Sequence, residues 1–110
     1  GEAMEGVLAT APKSFDQSPE NAALVEAFRA RNEDPSGPFV FPAYSAIQVL
    51  TEAMRVTRET DPYALADYLR ANRFDTTIGE IGFDQKGDLT EPTFEIYTLH
   101  ADGSKTPVGE

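Results

Sequence analysis

Asp34-Pro35-Ser36-Gly37-Pro38-Phe39-Val40-Phe41-Pro42-Ala43-Tyr44, together with the apolar stretch running on to about Glu59, decides the reading of this chain. The first part is dense in turn formers, and its prolines fix the path of an extended segment that presents two aromatic rings. From Ala43 the periodicity becomes helical. Ala43, Ile47, Leu50 and Met54 recur at spacings of four, three and four, and Ala46, Val49, Ala53 and Val56 form an adjacent stripe. Two neighbouring stripes predict a helix buried over most of its girth, against a sheet or between helices, with Gln48, Glu52, Arg55 and Glu59 on a narrow solvated edge. On that reading Leu50→Ala costs about 2–5 kcal/mol.

Outward from this stretch, Glu5 to Ala11 reads as a strand stopped by Pro12. Ser18-Pro19-Glu20 supplies a hydroxyl cap and a first-turn proline for a helix to about Arg31 or Asn32, with Leu24, Ala27, Phe28 and Arg31 on its face. Asp61-Pro62 repeats that start, and Leu65, Tyr68 and Leu69 form the apolar side of a helix ending near Asn72. Thr77-Ile78-Gly79 and Ile81-Gly82-Phe83 then read as extended, with a turn at Asp84–Asp88. Phe94–His100 alternates as a strand closed by Asp102-Gly103, and the tail from Ser104 to Glu110 reads as frayed. This order of elements suits an α/β or α+β arrangement.

The 110 residues are 40% hydrophobic, enough for one compact domain. A net charge of −10, from 19 acidic against 9 basic residues, repels a phosphate backbone, and no basic stripe offsets it, so nucleic acid is not an expected partner. No apolar run approaches the roughly 18 residues that would span a bilayer, and no signal-peptide pattern lies within the chain. The absence of cysteine excludes disulfides, thiolate metal sites and cysteine nucleophiles.

Candidate chemistry is sparse. His100, the only histidine, has no serine or second ligand at a spacing that ties it to catalysis, so a structural role outweighs a catalytic one. Asp84, Asp88 and Glu91 lack the register of a calcium loop and read as a solvated hairpin. No glycine cluster opens a helix to cradle phosphate. Phe39 and Phe41 remain. Both rings can simply cover the start of the long helix, or alternation in an extended segment can turn one to the core and the other to a cleft.

Several strings resemble the substrate-binding proteins of branched-chain amino-acid ABC transporters, of the leucine and leucine/isoleucine/valine type. They are Glu5-Gly6-Val7-Leu8 with Pro12-Lys13, Asp34–Val40, Ala43–Leu50, Ala64–Asn72, Thr77-Ile78-Gly79, Phe83–Leu89 and Tyr97–Gly103, in order over nearly the whole chain. The resemblance implies an α/β fold, as a C-terminal fragment of the two-lobed type I periplasmic binding protein. It assigns residues 1–11 to the end of a C-terminal-lobe segment, 12–89 to the later part of the N-terminal lobe, and 90–110 to a return strand and tail. The strand that opens the chain is then a severed one.

The implied function is non-enzymatic: capture of leucine, isoleucine or valine in an inter-lobe cleft and delivery to an ABC permease in the membrane, in the periplasm or another extracytoplasmic space, without cofactor or metal. By the same resemblance Phe39 matches an aromatic residue that lines the pocket around the ligand's aliphatic side chain, and Phe41 is assigned to packing. Relatives often have tryptophan at the positions of Phe41 and Phe83 and shortly before His100, a departure that bears on ligand preference. The groups that hold the ligand's carboxylate and ammonium lie upstream of Gly1 in that family, so the fragment is not expected to bind alone, and its open edges favour dimerisation or strand swapping. The alternative is a ligand-sensing or regulatory domain of the same fold for another small amino acid or amide. A small acidic hydrolase is disfavoured, since His100 has no nucleophile to serve.

Overall fold

The alternating stretch at Phe94 becomes the middle strand of a three-stranded antiparallel sheet in the computed structural model, which describes residues 1–109. The chain divides into two units: Gly1–Lys13 with the stretch from Pro92 onward, and Ser14–Glu91.

In the first unit β1 (Leu8–Pro12), β4 (Phe94–Leu99) and β5 (Lys105–Pro107) lie in the order β1-β4-β5, with Leu8 opposite Thr98 and Tyr97 opposite Pro107. Pairing continues past β1, because the Gly6 amide donates to the Leu99 carbonyl and the Leu99 amide to the Val7 carbonyl. Period-2 alternation puts Tyr97 on one face, where it is buried, and leaves Leu8, Phe94 and Ile96 exposed on the other. The Tyr97 hydroxyl donates to Glu95 at 2.9 Å, and the Lys105 ammonium sits 4.4 Å from the ring centroid. As read from the sequence, β1 ends at Pro12, which is itself the partner of Phe94, since an edge strand accommodates a residue without an N–H. One sequence expectation is corrected here. The tail is not frayed at 105–107: β5 pairs with β4, and the Val108 amide donates to the Ile96 carbonyl at 2.9 Å.

The second unit contains α1 (Ala22–Ala30), α2 (Val40–Thr57), α3 (Pro62–Ala71) and a hairpin of β2 (Phe74–Thr76) and β3 (Gly79–Ile81). Asp61 caps α3, its carboxylate accepting the Ala64 amide at 3.0 Å. Ser18 makes no such bond. A 3-10 turn over Pro19–Asn21 precedes α1, and the buried Asn21 donates to the carbonyls of Phe15 and Thr77. The inward side of α1 is therefore Leu24, Val25 and Phe28, while Ala27 and Arg31 are exposed. Thr77-Ile78 is the hairpin turn rather than a strand, and Phe74-Asp75-Thr76, unassigned from sequence, is the first strand. Val49, Phe74 and Ile81 form a core cluster flanked by Tyr68, Leu69, Ile78 and Phe83.

The largest correction concerns α2. It starts at Val40, so Val40-Phe41-Pro42 is its first turn and not an extended segment. Proline is compatible there because early helical amides have no intrahelical acceptor. Only one side of α2 is buried, along Phe41, Ser45, Val49 and Ala53. Ile47, Leu50 and Met54 are 62%, 40% and 38% exposed. Gln48 and Glu52, expected on the solvated edge, are half-buried, Gln48 because its side-chain oxygen accepts the Thr77 amide at 3.0 Å.

Candidate ligand-facing end of the long helix

The segment before α2 is held by local bonds. Asp34 accepts the Ser36 amide at 2.9 Å, the bond that chiefly holds its carboxyl pKa below the ordinary value, and Pro35 is buried. The Gly37 carbonyl accepts the Val40 amide, which turns the chain into the helix. Phe39 is the N-cap residue, and its carbonyl accepts the Ala43 amide at 3.0 Å.

Two residues further on, the backbone is anchored from several directions. Phe41 is 2% exposed, and its ring meets that of Phe28 edge to face at 6.3 Å. Its carbonyl accepts the Thr77 hydroxyl at 3.2 Å. Phe39, by contrast, is 71% exposed. The two rings diverge as the sequence reading allows, through a helical turn of about 100° per residue rather than strand alternation. The result is a rigid, well-anchored helix start that presents one large apolar ring outward.

The remaining candidates have structural partners. His100 Nδ1 lies 3.0 Å from Glu5 Oε1 and Nε2 lies 2.9 Å from the Thr106 hydroxyl. The Ala101 amide donates to Glu5 as well, and that bond, with the His100 contact, holds the Glu5 carboxyl below its ordinary range. Asp84 Oδ1 accepts the amides of Lys86, Gly87 and Asp88, closing the hairpin turn, and Asp88 pairs with Lys86 at 2.8 Å.

An ionic knot around Arg73 was not legible in sequence. Its guanidinium pairs with Glu80 at 2.6 Å and with Glu91, which also accepts from the Thr90 hydroxyl and the Gly82 amide. The Arg73 bond is the largest of the causes that lower Glu91 to about 2. Near it, Gln48, Glu52, Tyr68, Asn72 and Phe74 help to line an open groove of about 520 Å³. Phe39 does not line it.

No family model matches the chain. Solved structures of solute-binding proteins have the same fold: a leucine-binding protein of Thermotoga maritima superposes with a TM-score of 0.71 at 23% identity, over 97% of this chain and 31% of that one. An ABC-transporter solute-binding protein of R. palustris, solved with benzoate, also gives 0.71, at 20% identity over 99% of this chain and 31% of that one. The fold is thus that of part of a type I periplasmic binding protein, of the α/β class.

Sequence narrows the class. A leucine-, isoleucine-, valine-, threonine- and alanine-binding protein of Pseudomonas aeruginosa is 50% identical over 98% of this chain, and the leucine-specific-binding protein of Salmonella typhimurium is 47% identical over 96%. The chain is homologous to a portion of the branched-chain amino-acid-binding proteins, and it spans 29% of the length of each of these two curated relatives.

Proposed function

We propose that the chain is the C-terminal portion of the substrate-binding component of an ABC importer that captures a branched-chain aliphatic amino acid between two lobes and delivers it to a membrane permease. The observation that carries this reading is the 50% identity to the Pseudomonas aeruginosa binding protein over nearly the whole chain. The function needs no chemistry beyond shape and contact, and its setting is the periplasm. Residues 1–11 and 90–110 belong to one lobe and 12–89 to the other. The division of the chain near Lys13 and Glu91 supports that assignment.

Phe39 is the residue of this chain that contacts the ligand. Its support is geometric: Phe39 is an exposed ring on a helix start that the buried Phe41 and the Asp34 turn hold in place, so the ring is presented outward in a fixed position. An aromatic face suits an aliphatic side chain, which it shields from water without directional demands.

The test is calorimetric titration with leucine, isoleucine and valine of two proteins: this chain, and a chimera in which it replaces the matched portion of the Pseudomonas aeruginosa relative. The chain alone gives no heat, because a half-cleft has no groups for the ligand's charged ends. The chimera binds, and Phe39→Ala weakens binding by about 1–3 kcal/mol through lost apolar contact. Micromolar binding by the isolated chain would overturn the half-cleft, and an unchanged Kd in the substituted chimera would remove Phe39 from the pocket.

A further inference from the structure

A cavity of about 280 Å³ lies within the second unit, with Phe15, Ser18, Glu20 and Asn21 on one side and the hairpin turn at Thr77 and Ile78 on the other. That is near the lower end of small-ligand pockets, roughly 300–1,000 Å³. Phe39 has no part in its wall. Asn21 is 5% exposed, and its side-chain nitrogen spends both N–H groups, on the Phe15 carbonyl at 2.9 Å and the Thr77 carbonyl at 2.8 Å. Its amide oxygen has no partner among the described residues. No sealed side-chain atom among those residues is left unpaired, so this oxygen belongs to the small part of Asn21 that accessible space reaches, and Asn21 lines the cavity. A nearly buried acceptor left open calls for a donor.

The rest of the wall has the same polarity. Thr76 and Thr77 have already given their hydroxyl protons to the carbonyls of Gly79 and Phe41. Glu20 is exposed and unpaired among the described residues, the Ser18 hydroxyl makes no cap bond, and no lysine, arginine or histidine lines the cavity. In the larger groove near Arg73, by contrast, the side chains of Gln48, Glu52, Asn72 and Arg73 are already engaged within the chain. We propose that the smaller cavity is a binding site for a small primary alkylammonium ion. The ammonium brings three donors and one positive charge, which meet the Asn21 amide oxygen, the Ser18 hydroxyl oxygen and the Glu20 carboxylate. The alkyl chain lies against the half-buried Phe15 and Ile78, and the phenyl face adds a favourable quadrupole for the cation. An anion would meet Glu20 with like charge, and a neutral ligand would leave that carboxylate uncompensated. The inference is independent of the transport reading, since every group it uses lies within Ser14–Glu91.

The chain has three asparagines, Asn21, Asn32 and Asn72, so isotope-labelled asparagine side-chain amides give one probe inside the cavity and two outside it. Heteronuclear NMR follows them at pH 7 as n-butylammonium chloride is added, with n-butanol and sodium chloride as parallel titrants. The Asn21 amide signals shift saturably with n-butylammonium, with a Kd on the order of 1 mM, while those of Asn32 and Asn72 stay in place. The alcohol and the simple salt leave Asn21 unmoved. Glu20→Gln, an exposed substitution, weakens binding about tenfold or more, and Glu26→Gln, an exposed acid on α1 paired with Arg29, leaves it unchanged. No saturable shift at Asn21, equal shifts with n-butanol or sodium chloride, or a movement of Asn72 matching that of Asn21 would overturn the proposal. An unchanged Kd in Glu20→Gln, or an equal loss in Glu26→Gln, would overturn it as well, since the cation would then be held by general charge and not by this cavity.

Discussion

Phe41→Ala and Phe39→Ala remove the same atoms two residues apart, and they separate a core ring from a surface ring. Phe41 is 2% exposed and packs on Phe28, so its truncation removes a full phenyl burial and leaves a cavity, at a cost of about 3–5 kcal/mol. Phe39 is 71% exposed, so less than a third of a ring of roughly 200 Å² is withdrawn from water. That is about 60 Å², worth at most about 1.5 kcal/mol at about 25 cal/mol per Å². Urea unfolding of the isolated chain at 25 °C, followed by far-UV circular dichroism, reads both. With a slope of about 1.5 kcal/mol per molar urea, Phe41→Ala lowers the midpoint by about 2 M or more, and Phe39→Ala by less than about 1 M. Equal shifts, or a larger one for Phe39→Ala, would refute the assignment of Phe41 to the core and with it the helical start at Val40.

Helix capping gives a second contrast: Asp61→Ala costs about 1 kcal/mol, whereas Ser18→Ala, where no cap bond exists, changes stability by less than about 0.5 kcal/mol in the same unfolding assay. Glu91 sets an acid limb. Its folded value of about 2 lies below its ordinary 4.5, so its stabilising contribution is fully present above about pH 4.5 and is lost as pH falls toward about 2. Stability measured against pH therefore falls less steeply across that window in Glu91→Gln, and an unchanged slope would remove the Arg73 knot as its source. Leu50→Ala costs less than the 2–5 kcal/mol of a core leucine in the isolated chain, where Leu50 is 40% exposed, and reaches that range in the chimera, by denaturant midpoint in each.

Local sequence rules determined a good deal of this protein. Asp61-Pro62 starts α3 because a carboxylate cap and a first-turn proline act within one helical turn, and Asp84 closes its hairpin turn for the same short-range reason. Alternation placed β4, and the ordered strings across the chain pointed to the branched-chain amino-acid-binding proteins before any geometry was known.

Tertiary structure decided what periodicity leaves degenerate. Both rows of α2 are apolar, so hydrophobic spacing cannot say which one meets the chain's own hairpin: Gln48 bonded to Thr77 and Phe41 against Phe28 settle it, and Ile47, Leu50 and Met54 are left outward. The buried Asn21 reaching Thr77 and the pairing of Arg73 with Glu91 likewise join residues far apart in sequence. β5 exists because β4 offers it an edge. A pattern along the chain encodes which sides of an element can be buried; only the arrival of a partner from elsewhere in space determines which side is.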